Sequence, residues 1–561
     1  MITQAEPAKL TRNEGLKSGN PLLAGTIAQT LADSSAERFS DDDYEFLKFH
    51  GIYQQDNRDL RKAGKHYMLM VRTKFPGGVL SAEQYVACDD LASRYADNTL
   101  RITTRQDFQF HGILKANIRQ TMHALNEALI STIAACGDVE RNIMAPPTPA
   151  TSPWIELVLK EAAELSGKLA PKTRAYHRIW VEGQEVDLNS PQNAAFVDPL
   201  YGKSYLPRKF KTAFAIPPLN DIDIFTNDLG FVVIAEKGEL AGYNVLAGGG
   251  LGMSHGNAQT FPRLADIVGF VGPGHLEAVA KAVITIHRDF GDRTNRKHAR
   301  LKYVLEERGV EWFRIELEQR AGVKLEPARP FEFTRQGDLL GWHQQANGNY
   351  FLGLFVENGR IKDRDGYQLK TGLRKAIERY QPETRLTPSQ NILLVNVAPE
   401  QRPGIEEMLS AHGIASANPF SRVRLASMAC PALPTCGLAL AESERALPGF
   451  LGGIEALLGE LGLAEEEITV RMTGCPNGCA RPYTAEVAFV GKAPNKYQIY
   501  LGGNEGNTRL NRLYKDSVKG EELINELRPV LARYRQQRGP AERFGDFCQR
   551  VVWPSLESPT S

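Results

Sequence analysis

The sequence predicts an α+β protein made of two related modules, each followed by a larger segment. Three observations carry this prediction. A strand–turn–strand–helix pattern recurs once, a strand-rich stretch separates the two copies, and a stretch with two cysteine pairs follows the second. At 561 residues the chain has length for three to four domains. Their expected bounds are an N-terminal arm over 1–60, a first module over 61–145, the segment between over 146–330, a second module over 331–405 and the remainder over 406–561.

The arm is polar and closes on Asp41-Asp42-Asp43, which fits short helices. From His66 an apolar run enters Arg72-Thr-Lys-Phe-Pro-Gly-Gly78, a strand closing in a turn. Ser81-Ala-Glu-Gln84 fits a capping box and predicts a helix to about Tyr95. Leu100 to His111 then alternates with period two and reads as one strand. Leu100, Ile102, Phe108 and Phe110 form its buried face, and Arg101, Thr103, Arg105, Asp107, Gln109 and His111 its polar row. Two arginines, an amide and an imidazole without Lys or Glu suit a ligand better than bulk water. The repeat follows about 284 positions on: Tyr350 to Ile361 echoes Tyr67 to Leu80, and Arg385 to Leu394 echoes Arg101 to Phe110. Between the copies, Asp198 to Gly256 carries strand signals and Gly248-Gly-Gly-Leu-Gly252, and a basic stretch runs from Arg293 to Lys302. From about Glu400 onward, helical patterns surround the cysteines.

With 67 Lys+Arg against 66 Asp+Glu, the net charge of +1 excludes a bulk nucleic-acid binder. No RNA-binding module is visible either. Nothing approaches 18 unbroken apolar residues and the start lacks an apolar signal region, so the expectation is a cytoplasmic protein without a membrane span. Seven cysteines are too few for a disulfide scaffold, and close pairs then point to metal or redox chemistry.

Cys430-Pro-Ala-Leu-Pro-Thr-Cys436 and Cys475-Pro-Asn-Gly-Cys479 stand 38 residues apart. Four thiolates on two short loops suit a [4Fe–4S] cluster or a tetrahedral zinc. The five-residue gap disfavours zinc, and Gly437, Gly474 and Gly478 leave room for amides to approach sulfur. Cys88, Cys136 and Cys548 read as small buried apolar residues. Arg72, Arg141, Lys209 and Lys211, with Arg101 and Arg105, could assemble a positive pocket for a polyanion. Neither a G-x-G-x-x-G loop nor a Walker A loop is present, so electrons would have to come from another protein.

Four segments in order, Thr104-Arg-Gln-Asp-Phe-Gln-Phe-His-Gly-Ile113, Leu206-Pro-Arg-Lys-Phe-Lys211, the Cys430–Cys436 loop and Thr473-Gly-Cys-Pro-Asn-Gly-Cys479, resemble the sirohaem sulfite/nitrite reductases over roughly Asn13 to Phe547. The branch most similar is the haemoprotein subunit of assimilatory NADPH-driven sulfite reductases. The resemblance implies two ferredoxin-like repeats plus two larger α/β domains, sirohaem-binding and cluster-binding, related by pseudo-two-fold symmetry. It implies a [4Fe–4S] cluster on Cys430, Cys436, Cys475 and Cys479, with the Cys479 sulfur shared with the sirohaem iron. Arg72, Arg141, Lys209 and Lys211 are implied around sulfite, and Arg101, Arg105, Gln109, Arg208, Arg300 and Asn477 around the eight sirohaem carboxylates. Arg300 replaces an expected Lys and keeps the charge. The implied reaction is six-electron reduction of sulfite to sulfide, fed from NADPH by a flavoprotein (alpha) subunit carrying FAD and FMN, or alternatively by ferredoxin. In the ferredoxin-dependent nitrite reductase branch an Asn stands in place of Lys211, which favours the sulfite branch here.

Overall fold

The computed structural model describes residues 9–149, 151–173, 180–181, 184–185, 196–417 and 419–557. The first eight residues of the arm and the last four of the sequence lie outside them. The rest of the arm begins with three short helices, Arg12–Gly19, Ile27–Ala32 and Asp41–Leu47. They are docked on the body: Lys17 Nζ, 3% exposed, donates to the Leu206 carbonyl at 2.6 Å and pairs with Asp138 at 3.3 Å.

Strand β1 (Ile52–Asp56) comes from the end of the arm, and β2 (Tyr67–Arg72), β3 (Val79–Leu80), β4 (Leu100–Ile102) and β5 (Phe108–Ile113) from the first module. The central segment supplies β6 (Thr212–Ala215), β7 (Leu229–Glu236), β8 (Glu239–Ala247) and β9 (Asp266–Val271). The second module supplies β10 (Gly341–Gln344), β11 (Tyr350–Leu354), β12 (Arg360–Ile361), β13 (Glu383–Leu386) and β14 (Ile392–Val397). The last segment supplies β15 (Ser427–Ala429), β16 (Val470–Thr473), β17 (Val487–Ala493), β18 (Lys496–Leu501) and β19 (Arg512–Lys519).

The two modules trade strands. One sheet runs β1-β2-β5-β4-β12 and the other β10-β11-β14-β13-β3, so each takes its last strand from the other half. A reciprocal contact seals the exchange: Gln106 Nε2 donates to the Leu386 carbonyl at 3.0 Å, and Gln390 Nε2 to the Ile102 carbonyl at 3.5 Å. Gly78 and Gly359 make this approach possible. A Cβ on either would lie 2.4 Å from a carbonyl oxygen of the other half.

Leu100 to His111 is a hairpin and not the single strand expected. Gln106 adopts φ 58°, and the Thr103 hydroxyl accepts from the Arg105 and Asp107 amides at 3.1 and 3.2 Å. Arg101 and Gln109 face each other across it. The equivalent turn, Thr387 to Asn391, has Gln390 at φ 70° and the same Thr–amide bond at 3.0 Å. The capping box at Ser81 and Gln84 is formed and starts the helix Ala82–Tyr95.

The two larger segments repeat one another as well. β6 runs parallel to β7, and β16 to β17; each pair continues through two antiparallel strands, β8 and β9 or β18 and β19. Long helices follow, Leu276–Phe290 and Leu523–Gln537. Asp223 and Arg481 hold matching positions before short turns, each with φ 53°, and pair with one another at 2.8 Å. The helical reading after Glu400 therefore missed a five-stranded sheet with its own core, Val423 to Trp553. No helix among the described residues is long and apolar enough to cross a membrane.

Candidate functional site

A cavity opens where the Thr103–Asp107 turn, the central sheet and the Cys475–Cys479 loop meet. Arg105, Lys209, Lys211, Arg300, Asn477 and Cys479 all line it. Arg105 is delivered by its turn. Its Nη1 donates to Asn227 Oδ1 at 2.9 Å and its Nη2 to the Thr212 carbonyl at 3.2 Å and the Asn142 carbonyl, while Nε has no partner. Burial, tempered by Glu140 and Asp107, brings its guanidinium down to about 10. Arg300 makes a two-pronged bond to the fully buried Asp228, at 3.1 and 2.7 Å. Gly250 must lack a side chain here, since a Cβ would sit 2.9 Å from Arg300 Nη2.

Lys209 and Lys211 precede β6 in extended chain, flanking the fully buried Phe210. Phe210 is tied to the Val139–Arg141 segment by two backbone bonds of 3.1 Å, which sets Arg141 beside them. Neither lysine has a carboxylate partner among the described residues. Burial, reinforced by Arg141, Arg208 and Arg300, pushes Lys209 well below its ordinary value; burial with Arg105, Lys209 and Arg300 does the same to Lys211. Arg208 is lowered to about 10 by burial and by Arg296. This is a group of cations held together against their own repulsion, and an anion between them relieves it.

The other predicted residues are not among those that line the cavity. Gln109, in the amide orientation its neighbours require, accepts from Arg72 Nε at 3.2 Å and Nη2 at 2.6 Å. Arg141 donates to the Gly137 carbonyl at 3.3 and 3.2 Å. Arg101 lies on the far side of the hairpin from Arg105. It binds Glu444 at 2.9 Å and the Ala429 carbonyl at 2.8 Å, next to Cys430, so its charge is already matched. The swapped strand β12 brings Arg360 to the same Glu444, at 2.7 and 3.0 Å.

The cysteine loops hang from the ends of β15 and β16. The Gly474 amide donates to Cys430 Sγ and the Asn477 side chain to Cys475 Sγ, each at 3.4 Å; the Leu438 and Ala439 amides point at Cys436. Burial raises the Cys430 thiol, and Cys479, Cys475 and Cys436 raise it further, because the four sulfurs face one another. They do not close on an ion-sized point: no set of three or more ligating side chains does so among the described residues. Cys430 and Cys475 are buried and Cys436 half-buried, whereas Cys479 is exposed to the cavity. Cys88, Cys136 and Cys548 are fully buried.

Sequence reasoning missed Asn227 and Asp228, which orient Arg105 and Arg300, and Thr104, whose hydroxyl donates to the Cys479 carbonyl at 2.9 Å. It also missed Glu140, a buried carboxyl that burial raises to about 7, and placed Asp107, raised likewise to about 7, only within the polar row. The residues fit the two groups the resemblance implies. The two lysines without a carboxylate partner among the described residues and an orphaned Arg105 Nε suit a polycarboxylate, and four facing cysteines with donors aimed at three of the sulfurs suit a cluster.

Two family models match the chain. One described as nitrite/sulfite reductase ferredoxin-like half domain covers residues 61–128 and 343–412, and one described as nitrite and sulphite reductase 4Fe-4S domain covers 160–325. The latter stretch holds no cysteine, so it corresponds to the cavity half of the repeat and not to the cysteine half. A sulfite reductase (NADPH) hemoprotein beta-component from Staphylococcus haemolyticus (strain JCSC1435) is 48% identical over 97% of this chain and 95% of its own. Its counterpart from Geobacillus kaustophilus (strain HTA426) is 47% identical over 96% and 95%. Among solved structures, the Mycobacterium tuberculosis NirA protein matches with a TM-score of 0.78 and 25% identity over 98% of both chains.

Proposed function

The chain belongs to the nitrite and sulfite reductase family, and from that premise we propose that it is the haemoprotein component of an NADPH-driven assimilatory sulfite reductase. The reaction is six-electron reduction of sulfite to sulfide, serving cysteine biosynthesis. The observation that carries this reading is the meeting of an unneutralised cation group with the one exposed thiol of a four-cysteine site.

In this reading Cys430, Cys436, Cys475 and Cys479 would hold the [4Fe–4S] cluster, with Cys479 also facing the cavity that would take sirohaem. Arg105, Arg208, Arg300 and Asn477 take the sirohaem carboxylates and edge. Gln109 orients Arg72, and Arg101 braces the cluster loop through Glu444. Bound there, sirohaem and the cluster would supply the redox chemistry, while the residues around them bind the anion and move protons.

Lys209 and Lys211, with Arg141 beside them and Arg72 held behind by Gln109, would receive the sulfite oxygens. Their charge stabilises the oxygens as electron density builds on them. A lysine lowered by its surroundings releases a proton more readily than an ordinary one, which suits Lys209 and Lys211 to protonate departing oxygen. Electrons would come from a flavoprotein subunit, since the sequence carries no nucleotide motif and the named relatives are beta-components. We place the complex in the cytoplasm, where NADPH is made.

The isolated, cofactor-loaded chain is expected to reduce sulfite with reduced methyl viologen and to consume no NADPH. Steady-state assays with each reductant check this. NADPH oxidation by the chain alone, or viologen turnover confined to nitrite, would reject the proposal.

A further inference from the structure

We propose that Lys302 is a positioning residue whose ammonium fixes loop 250–263 as a rigid wall between the anion cavity and the Cys475–Cys479 turn. The neck of this loop is closed by two backbone bonds, Gly250 N–H to the Arg263 carbonyl at 2.8 Å and Arg263 N–H to the Gly250 carbonyl at 3.0 Å. Inside it, Lys302 Nζ donates to the carbonyls of Gly250 and Gly252, both at 3.0 Å, and to that of Phe261. The side chain is fully buried. Three ammonium protons thus meet three carbonyls, and loop backbone replaces the whole water shell of the ion.

The loop is held to the site on two sides. Leu251 and Gly252 line the cavity. The Met253 amide donates to the Pro476 carbonyl at 2.9 Å, and a Cβ on Gly252 would come within 3.3 Å of the Asn477 carbonyl oxygen. One ammonium therefore ties the cavity wall to the turn that carries Cys475 and Cys479. Arg300, Arg263 and Asp228 are the charged groups facing it, and the Tyr303 and Phe261 rings lie 4.9 and 5.7 Å away. No carboxylate bonds to Lys302 among the described residues, so its strength lies in the carbonyl bonds. A general role in core stability would give the same burial but no local signature.

Hydrogen exchange on the full chain separates the two. Lys302→Met keeps the length and removes the donors. Losing charged hydrogen bonds of this kind is expected to speed exchange at the Met253 and Arg263 amides by about 10- to 100-fold. The amides of Phe231–Ile234 in β7 should keep their rates, and Lys302→Arg should restore part of the protection. Met253→Pro cuts the link to Pro476 and should loosen the same loop, read at the Arg263 amide, giving a second variant on an accessible segment. Unchanged loop exchange in both variants, or an equal rise in β7, overturns the proposal. The exchange readout holds whatever the cavity binds. A rise in KM for sulfite larger than any fall in kcat is the added readout that rests on the sulfite reading.

Discussion

Replacing Cys479 by Ser is expected to strip the protein of both cofactors and abolish sulfite reduction. Cys479 is the one cysteine of the four that is exposed and lines the basic cavity, while its sulfur faces those of Cys430, Cys436 and Cys475. A hydroxyl is a poor ligand for iron–sulfur iron, and losing a shared ligand undoes two sites together. Cys88→Ser is the control. That residue is fully buried in the first module, so the change should cost about 1–3 kcal/mol of stability through a buried hydroxyl. Both cofactors should stay. Iron and acid-labile sulfide analysis with visible absorbance reads both variants. Full cofactor content in Cys479→Ser would remove Cys479 from both sites.

Lys211→Asn is expected to lower kcat/KM for sulfite by about 10- to 100-fold and to affect nitrite much less. The range is that of one charge-assisted hydrogen bond lost from a partly desolvated site, about 1.5–3 kcal/mol. Sulfite presents more charge and one more oxygen than nitrite, so the second lysine matters more to it. The pH dependence follows from the same crowding. Both lysines are lowered in the free protein by burial and by neighbouring cations. They lose charge as pH rises through those lowered values, before an ordinary lysine would. Sulfite affinity should therefore weaken on the alkaline side, and an anion bound between them should raise both values and move that limb upward. Steady-state kinetics on both anions across pH, at equal sirohaem occupancy, check this. Equal losses for sulfite and nitrite would make Lys211 a general proton donor and not a selector.

What the sequence showed was local, and what it hid depended on distant partners. The capping box at Ser81 and Gln84 needs four residues, and the cysteine loops need fewer than ten each, so both were legible. The hairpin at Leu100 to His111 was misread because a five-residue turn preserves the alternation of the strands on either side. Its one backbone signal is Gln106 in the left-handed region, where Gln gives no compositional warning. This misreading matters, since a single strand would set Arg101 and Arg105 on one face, and the turn sends them apart. The exchanged strands β3 and β12 are two residues long and pair with chain far away in sequence. No local pattern could reveal them. Asn227, Asp228 and Lys302 were invisible for a similar reason: each acts through an arginine or a carbonyl brought to it by folding. The sheet of the last segment was implied only by the resemblance, since β15 and β16 are short, fully buried strands without alternation.

The central claim is that one chain holds sirohaem against a [4Fe–4S] cluster in the cavity at Cys479. Visible absorbance of the purified chain, with iron and labile sulfide counted on the same sample, tests it most directly. The account predicts an intense Soret band with a long-wavelength companion, about five iron atoms and about four labile sulfides per chain. Zinc in place of iron, or about four iron atoms with no Soret band, would contradict it.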